Sequence, residues 1–125
     1  MNNNAIPIYL QLADNLCDDI VSGRYHEYGR IPSVRDLAIT YEVNNITALH
    51  TFEYLAEKDI IFKRRGEGYF VKEGAVKLIT DSRRRNFYEN ILPQLFVEMK
   101  KNGISIDEVA QKYNESLTKN EEDQQ

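Results

Sequence analysis

The side chains able to do chemistry in this chain are mostly hydrogen-bond donors and cations, and they fall in three places. Arg35 stands in the run Ser33-Val34-Arg35-Asp36; Asn45, Ile46, Thr47, Leu49 and His50 crowd one short stretch; and Lys63, Arg64, Arg65 and Gly66 are consecutive. A guanidinium grips a phosphate or a guanine edge with two hydrogen bonds, and an asparagine amide can read adenine. A threonine hydroxyl reaches base or phosphate, and isoleucine or leucine can meet a thymine methyl. Glycine at 66 permits close approach to a sugar-phosphate wall, and an arginine beside it suits a narrow minor groove. Each group also has a plainer reading: Arg35 paired with Asp36, Asn45 merely capping a helix, and the basic run solvated.

Catalysis finds little support. His26 and His50 are the only histidines and Cys17 the only cysteine. No HxxxH or CxxC spacing exists, and no glycine-rich phosphate loop follows a strand. Asp18 and Asp19 are adjacent on a helix, so their carboxylates point about 100° apart and do not converge on one substrate. The expectation is no enzyme, no metal and no cofactor. Cys17 sits in an apolar helical stripe and reads as a small buried hydrophobe.

The formal charge of −4 lacks the global basic signature of many nucleic-acid binders, so the electrostatic case rests on distribution. Asp14, Asp18 and Asp19 gather in the first helical pattern, whereas Lys63, Arg64 and Arg65 lie together at a hairpin tip. No apolar run is long enough to span a membrane. The opening Met1-Asn2-Asn3-Asn4 has neither a positive nor an apolar signal region, which gives a cytoplasmic expectation.

These residues need elements to position them. The chain of 125 residues suits a compact domain of about 70 residues with a smaller appendage. Leu12, Ala13, Leu16, Cys17 and Ile20 recur at helical spacing and predict a helix from Pro7 to about Ser22, ended by Gly23. Ser33 and Asp36 form a capping box for a second helix reaching about Tyr41. Asn44 or Asn45 caps a third, with Ala48, Thr51, Phe52 and Leu55 on its inner face. Two short helices this close make a helix-turn-helix whose second member can enter a major groove. The β-rich runs 60–64 and 69–72, joined by Arg65-Gly66-Glu67-Gly68, predict a hairpin wing.

Beyond Gly74 the pattern becomes helical from about Val76 to Asn102, with Pro93 leaving one bent helix or two as alternatives. Gly103 stops it, and Ser105 caps a last helix whose apolar face is Ile106, Val109, Ala110, Tyr113 and Leu117. The polar sequence from Thr118 predicts disorder over 118–125. The expected organisation is a DNA-binding part over 1–74 and a helical dimerisation part over 75–117. Phe87, Ile91, Leu95, Phe96, Met99, Val109 and Tyr113 are the dimerisation candidates, because two helices cannot cover that many apolar side chains by themselves. Arg83, Arg84 and Arg85 suit intersubunit salt bridges, solvent or phosphate equally.

The segment Pro7-Ile8-Tyr9-Leu10-Gln11-Leu12, followed by Ile31-Pro32-Ser33-Val34-Arg35-Asp36-Leu37-Ala38, resembles the N-terminal domain of GntR-family regulators. Arg65-Gly66-Glu67-Gly68-Tyr69-Phe70-Val71 is similar to that family's wing. The resemblance implies a winged helix-turn-helix, mainly α with a small β-hairpin, in which Arg35 contacts DNA. The two-helix tail resembles the YtrA-like branch, whose C-terminal part dimerises and is too small to be a ligand-binding domain. Two features depart from the pattern: Tyr28 precedes Gly29 where the family's glycine is displaced, and none of Asn45, Leu49 and His50 is the arginine often found near those positions. The expected function is a sequence-specific transcription regulator, a homodimeric repressor on a near-palindromic operator of double-stranded DNA, with no implied effector. The competing expectation is a winged-helix protein-interaction module that uses the acidic first helix.

Overall fold

The computed structural model describes residues 6–123. They form two compact units, one ending at Arg83 and the other beginning at Arg84.

In the first unit, α1 (Ile8–Val21) follows Pro7, whose missing N–H costs nothing where helical donors lack partners. Its stripe of Leu12, Ala13, Leu16, Cys17 and Ile20 is buried. Gly23 takes φ 89°, a left-handed conformation that glycine adopts without strain. Helix α2 (Val34–Tyr41) starts on the expected capping box: Ser33 Oγ accepts from the Asp36 N–H at 3.0 Å, and Asp36 accepts from the Ser33 N–H at 3.4 Å. Three residues later α3 (Asn45–Glu57) begins, with Asn44 Oδ1 accepting from the Ile46 N–H at 2.7 Å. Ala48, Thr51, Phe52 and Leu55 are all 0% exposed, so α3 is the helix on which the core is built.

Strands β1 (Ile61–Arg64) and β2 (Gly68–Val71) pair antiparallel, with Phe62 opposite Phe70 and Arg64 opposite Gly68. The segment before α2 lies along the other edge of β2. Tyr28 N–H donates to the Val71 carbonyl at 2.7 Å, Val71 N–H to Gly29 at 2.9 Å, and Ile31 N–H to Tyr69 at 3.0 Å. This explains the displaced glycine. A Cβ at position 29 would stand 2.8 Å from the His26 carbonyl oxygen, so Gly29 cannot be replaced, and Tyr28 takes the left-handed φ of 66° instead.

Helix α4 (Ala75–Asn86) begins inside the first unit, because Ala75 and Ile79 are buried in its core cluster. The boundary therefore falls at Arg83 and not at the change of composition near Gly74. Arg83 places its guanidinium 2.8 Å from both Asp14 Oδ1 and Asp18 Oδ1 and donates to the Asp14 carbonyl at 3.2 Å.

Past Arg84 the helix does not break at Pro93. A π-helical turn over Phe87–Ile91 connects α4 to α5 (Leu92–Asn102), and the Leu92 N–H donates to the Phe87 carbonyl five residues back. A wider turn accommodates a ring that would collide with the carbonyl of an α-helical turn. Gly103 ends α5 at φ 64°. Helix α6 (Ile106–Asp123) opens with the Glu108 N–H donating to Ser105 Oγ at 3.2 Å. It corrects the expectation of disorder from Thr118, since the helix continues to Asp123.

Two outcomes follow for stability. Ser33→Ala removes the acceptor that starts α2 and should lower the unfolding free energy by about 1 kcal/mol, read from the urea midpoint at an unchanged slope. Burial pushes the Cys17 thiol from 9.0 up to about 11; the Arg83 charge opposes the rise, and Asp14 and Asp18 add to it. The folded chain keeps this proton where the unfolded chain loses it. The contribution to stability is therefore complete below pH 9.0 and falls away as the pH rises toward about 11, by roughly 2–3 kcal/mol. Denaturation of the chain and of Cys17→Ala across that window reads the difference; parallel curves would show that the thiol does not stay protonated.

Candidate nucleic-acid interface

Residues of α2, α3 and the wing were expected to act together, and the structure gives each a definite setting. Arg35 is exposed in the first turn of α2. Its neighbour Asp36 is occupied by the helix cap, and among the described residues no ion pair holds the Arg35 guanidinium. The plain reading of Arg35 as the partner of Asp36 therefore finds no geometry.

At the start of α3 the capping is done by Asn44, which leaves the Asn45 side chain exposed and spared that role. Ile46 is 76% exposed and Leu49 40%, on a helix whose opposite side is fully buried. Thr47 is half-buried, and its carbonyl accepts from Thr51 Oγ1 at 3.2 Å. His50 is exposed but not unattended. Its ring stacks on Tyr9 of α1 with centroids 3.8 Å apart and planes 11° apart, while Tyr54 meets Tyr9 edge-on at 5.9 Å. The structure thus fixes His50 by α1, a contact that spacing along α3 alone does not reveal.

The basic run at the wing is divided by the geometry of a strand. Successive side chains on a strand point to opposite faces. Arg64 lies over the rings of Phe62 and Phe70, at 5.6 and 4.9 Å from their centroids, whereas Lys63 approaches the ring of the core residue Tyr69 at 5.9 Å. Arg65 and Gly66 occupy the exposed loop, where Gly66 takes φ 79° and the Glu67 N–H donates to the Arg64 carbonyl at 2.9 Å. Residues 45–50 and 63–66 are thus carried by elements that pack on one core, with Ala48 of α3 and Ile61 of β1 both in it.

The acids of α1 have a different setting. Asp14 and Asp18 share Arg83, and Asp19 lies 3.6 Å from Arg24. Burial opposes the Arg83 charge, but the hydrogen bonds that Arg83 donates to Asp14 and Asp18 outweigh it and raise its pKa. Among the described residues no cluster of three or more His, Cys, Asp or Glu side chains could hold a metal ion, and no helix is long and apolar enough to cross a membrane.

Residues 8–71 match the family described as bacterial regulatory proteins, gntR family. An uncharacterized HTH-type transcriptional regulator of Bacillus subtilis, YhcF, is 32% identical over 103 residues, which cover 82% of this chain and 84% of the relative. The HTH-type transcriptional repressor YtrA of the same organism is 24% identical over 106 residues, 85% of this chain and 81% of the relative. A crystal structure of a GntR-family transcriptional regulator from Bacteroides thetaiotaomicron matches with a TM-score of 0.71 and 41% identity, covering 90% of this chain and 98% of that one. With its capped helix pair, hairpin wing and matching signature over residues 8–71, the chain belongs to the GntR family of DNA-binding transcription regulators.

Proposed function

We propose that the chain is a homodimeric repressor that reads two half-sites of a near-palindromic operator. The observation that carries the reading is the exposure of Ile46 and Leu49 at the start of a helix whose other face is fully buried. Large apolar side chains in that position suit thymine methyls, with Asn45 and Thr47 on base edges and His50 held beside them by Tyr9. Arg35 and the wing residues Lys63, Arg64, Arg65 and Gly66 supply backbone contacts, which set register and affinity without reading sequence. Such a protein binds and does not catalyse, and it works in the cytoplasm, where the chromosome is.

The second copy is required by the tail. In the second unit none of Phe87, Ile91, Leu95, Phe96 and Tyr113 is buried, and Met99 and Val109 are only half-buried. So many large apolar side chains left exposed in one unit suit a protein interface. An identical tail related by a two-fold axis covers it and sets two recognition helices against half-sites about 34 Å apart, or a multiple of that distance. Repression, in preference to activation, is supported by the similarity to the YtrA repressor. The competing reading, an acidic protein-docking face on α1, is disfavoured because Asp14, Asp18 and Asp19 all face arginines of the chain itself.

Selection of bound fragments from genomic DNA supplies the operator for the test. Asn45→Ala should then change preference at particular base positions by about 1–3 kcal/mol. Equal weakening on all sequences would instead place Asn45 on phosphate. Sedimentation should show the intact chain as a dimer at micromolar concentration and the double variant Leu95→Glu, Phe96→Glu as a monomer with its helices intact. A monomeric intact chain that still occupies the whole operator as one copy would defeat the dimer.

A further inference from the structure

The outward face of the wing carries a second arginine, which comes from outside the hairpin. Phe62 and Arg64 of β1 share this face with their register partners Phe70 and Gly68. The two phenylalanine rings stack at 5.8 Å, and the Arg64 guanidinium lies over both. Arg30 pairs antiparallel with Phe70 from the opposite edge of β2, so its side chain starts on the same face. Its guanidinium nitrogens stand 3.5 Å from the point where a Cβ on Gly68 would be. From Phe70 to Gly68 is two residues, about 6–7 Å of strand. The Arg30 side chain therefore runs along β2 toward the wing tip and arrives at the strand position opposite Arg64.

We infer that Arg30 is a DNA-backbone contact that works as a pair with Arg64 on the aromatic floor of Phe62 and Phe70. The inference rests on the DNA reading above and names a residue outside the basic run. The Arg64 guanidinium, laid on aromatic rings, has given up conformational freedom before binding, so less is lost when a phosphate docks. Among the described residues neither Arg30 nor Arg64 has an ion-pair partner. Two guanidinium groups carried to one end of a strand face suit a phosphate, which each can grip with charge-assisted hydrogen bonds. Gly68 lies beside the Arg30 guanidinium, and at φ 102° it adopts a backbone conformation that a residue with a side chain would strain to reach. Lys63 lies on the other face of the hairpin, against Tyr69, and is not a member of this pair.

The test is binding of the full chain to mixed-sequence duplex DNA at a series of salt concentrations. Arg30→Gln keeps part of the stem over Gly68 and removes only the charge, and Arg30→Ala removes both. Each should bind several-fold more weakly, and the slope of log affinity against log salt should flatten by about 0.9, as for one lost phosphate contact. Arg30→Lys should recover the slope. The inference is overturned if Arg30→Gln keeps the slope and affinity of the unsubstituted chain while Arg64→Ala loses both; in that case the DNA reading stands. Failure of the unsubstituted chain to bind any duplex would overturn both.

Discussion

Among the described residues Thr51 is the one buried polar side chain in an otherwise apolar core, and the placement of α3 depends on it. Its hydroxyl donates to the Tyr9 carbonyl of α1 at 3.0 Å and lies 3.2 Å from the Thr47 carbonyl one turn earlier in α3. Apolar packing by Ala48, Phe52 and Leu55 is non-directional and would tolerate a slide of α3 along α1. A hydrogen bond in a site without water is directional, and leaving it unmade is costly. One hydroxyl therefore fixes the axial position of α3. From that position Tyr9 stacks on His50, and Ile46 and Leu49 are left bare.

The charge distribution follows the same economy. A net charge of −4 suggests a poor ligand for a polyanion, but several aspartates of the first unit are engaged within it. Asp14 and Asp18 hold Arg83, Asp19 faces Arg24, Asp59 meets Lys72 at 3.1 Å, and Asp36 closes a helix cap. Arg30, Arg35 and Arg65 have no such partners among the described residues. Exposed arginines without ion-pair partners thus stand in α2 and the wing, and at short range such local charges count for more than the total.

What could be read from the sequence was local. The Ser33–Asp36 box, the α1 stripe and the glycines of the wing loop each rest on residues within one turn or one hairpin, and each is present as read. What escaped was set by partners distant in the chain. Nothing near Arg83 announces Asp14, and nothing near Arg30 announces Gly68. Nor did the change of composition at Gly74 reveal that Ala75 and Ile79 complete the first core. Two further misses had legible signals. Strand alternation separates Lys63 from Arg64 once the hairpin is placed. The residues after Thr118 are polar, but lysine and glutamate there are good helix formers, and α6 arrives at them already nucleated, so propagation costs little.

The π-helical turn at Phe87–Ile91 changes the helical phase of the tail. Apolar residues spaced by four along an ordinary α-helix advance about 40° more than a full circle at each step, so Phe87, Ile91, Leu95 and Met99 would wind about 120° around the axis from first to last. A π turn inserts one residue without adding a turn, which sets back everything after it by about 100°. The two displacements nearly cancel, leaving a residual of about 20°. The first and last of the four, Phe87 and Met99, are thereby returned to nearly the same side of the helix, although Ile91, Leu95 and Met99 keep their ordinary winding of about 40° per step. In this sense the wide turn next to Pro93 acts as a vernier that resets the phase between Phe87 and the helix that follows it.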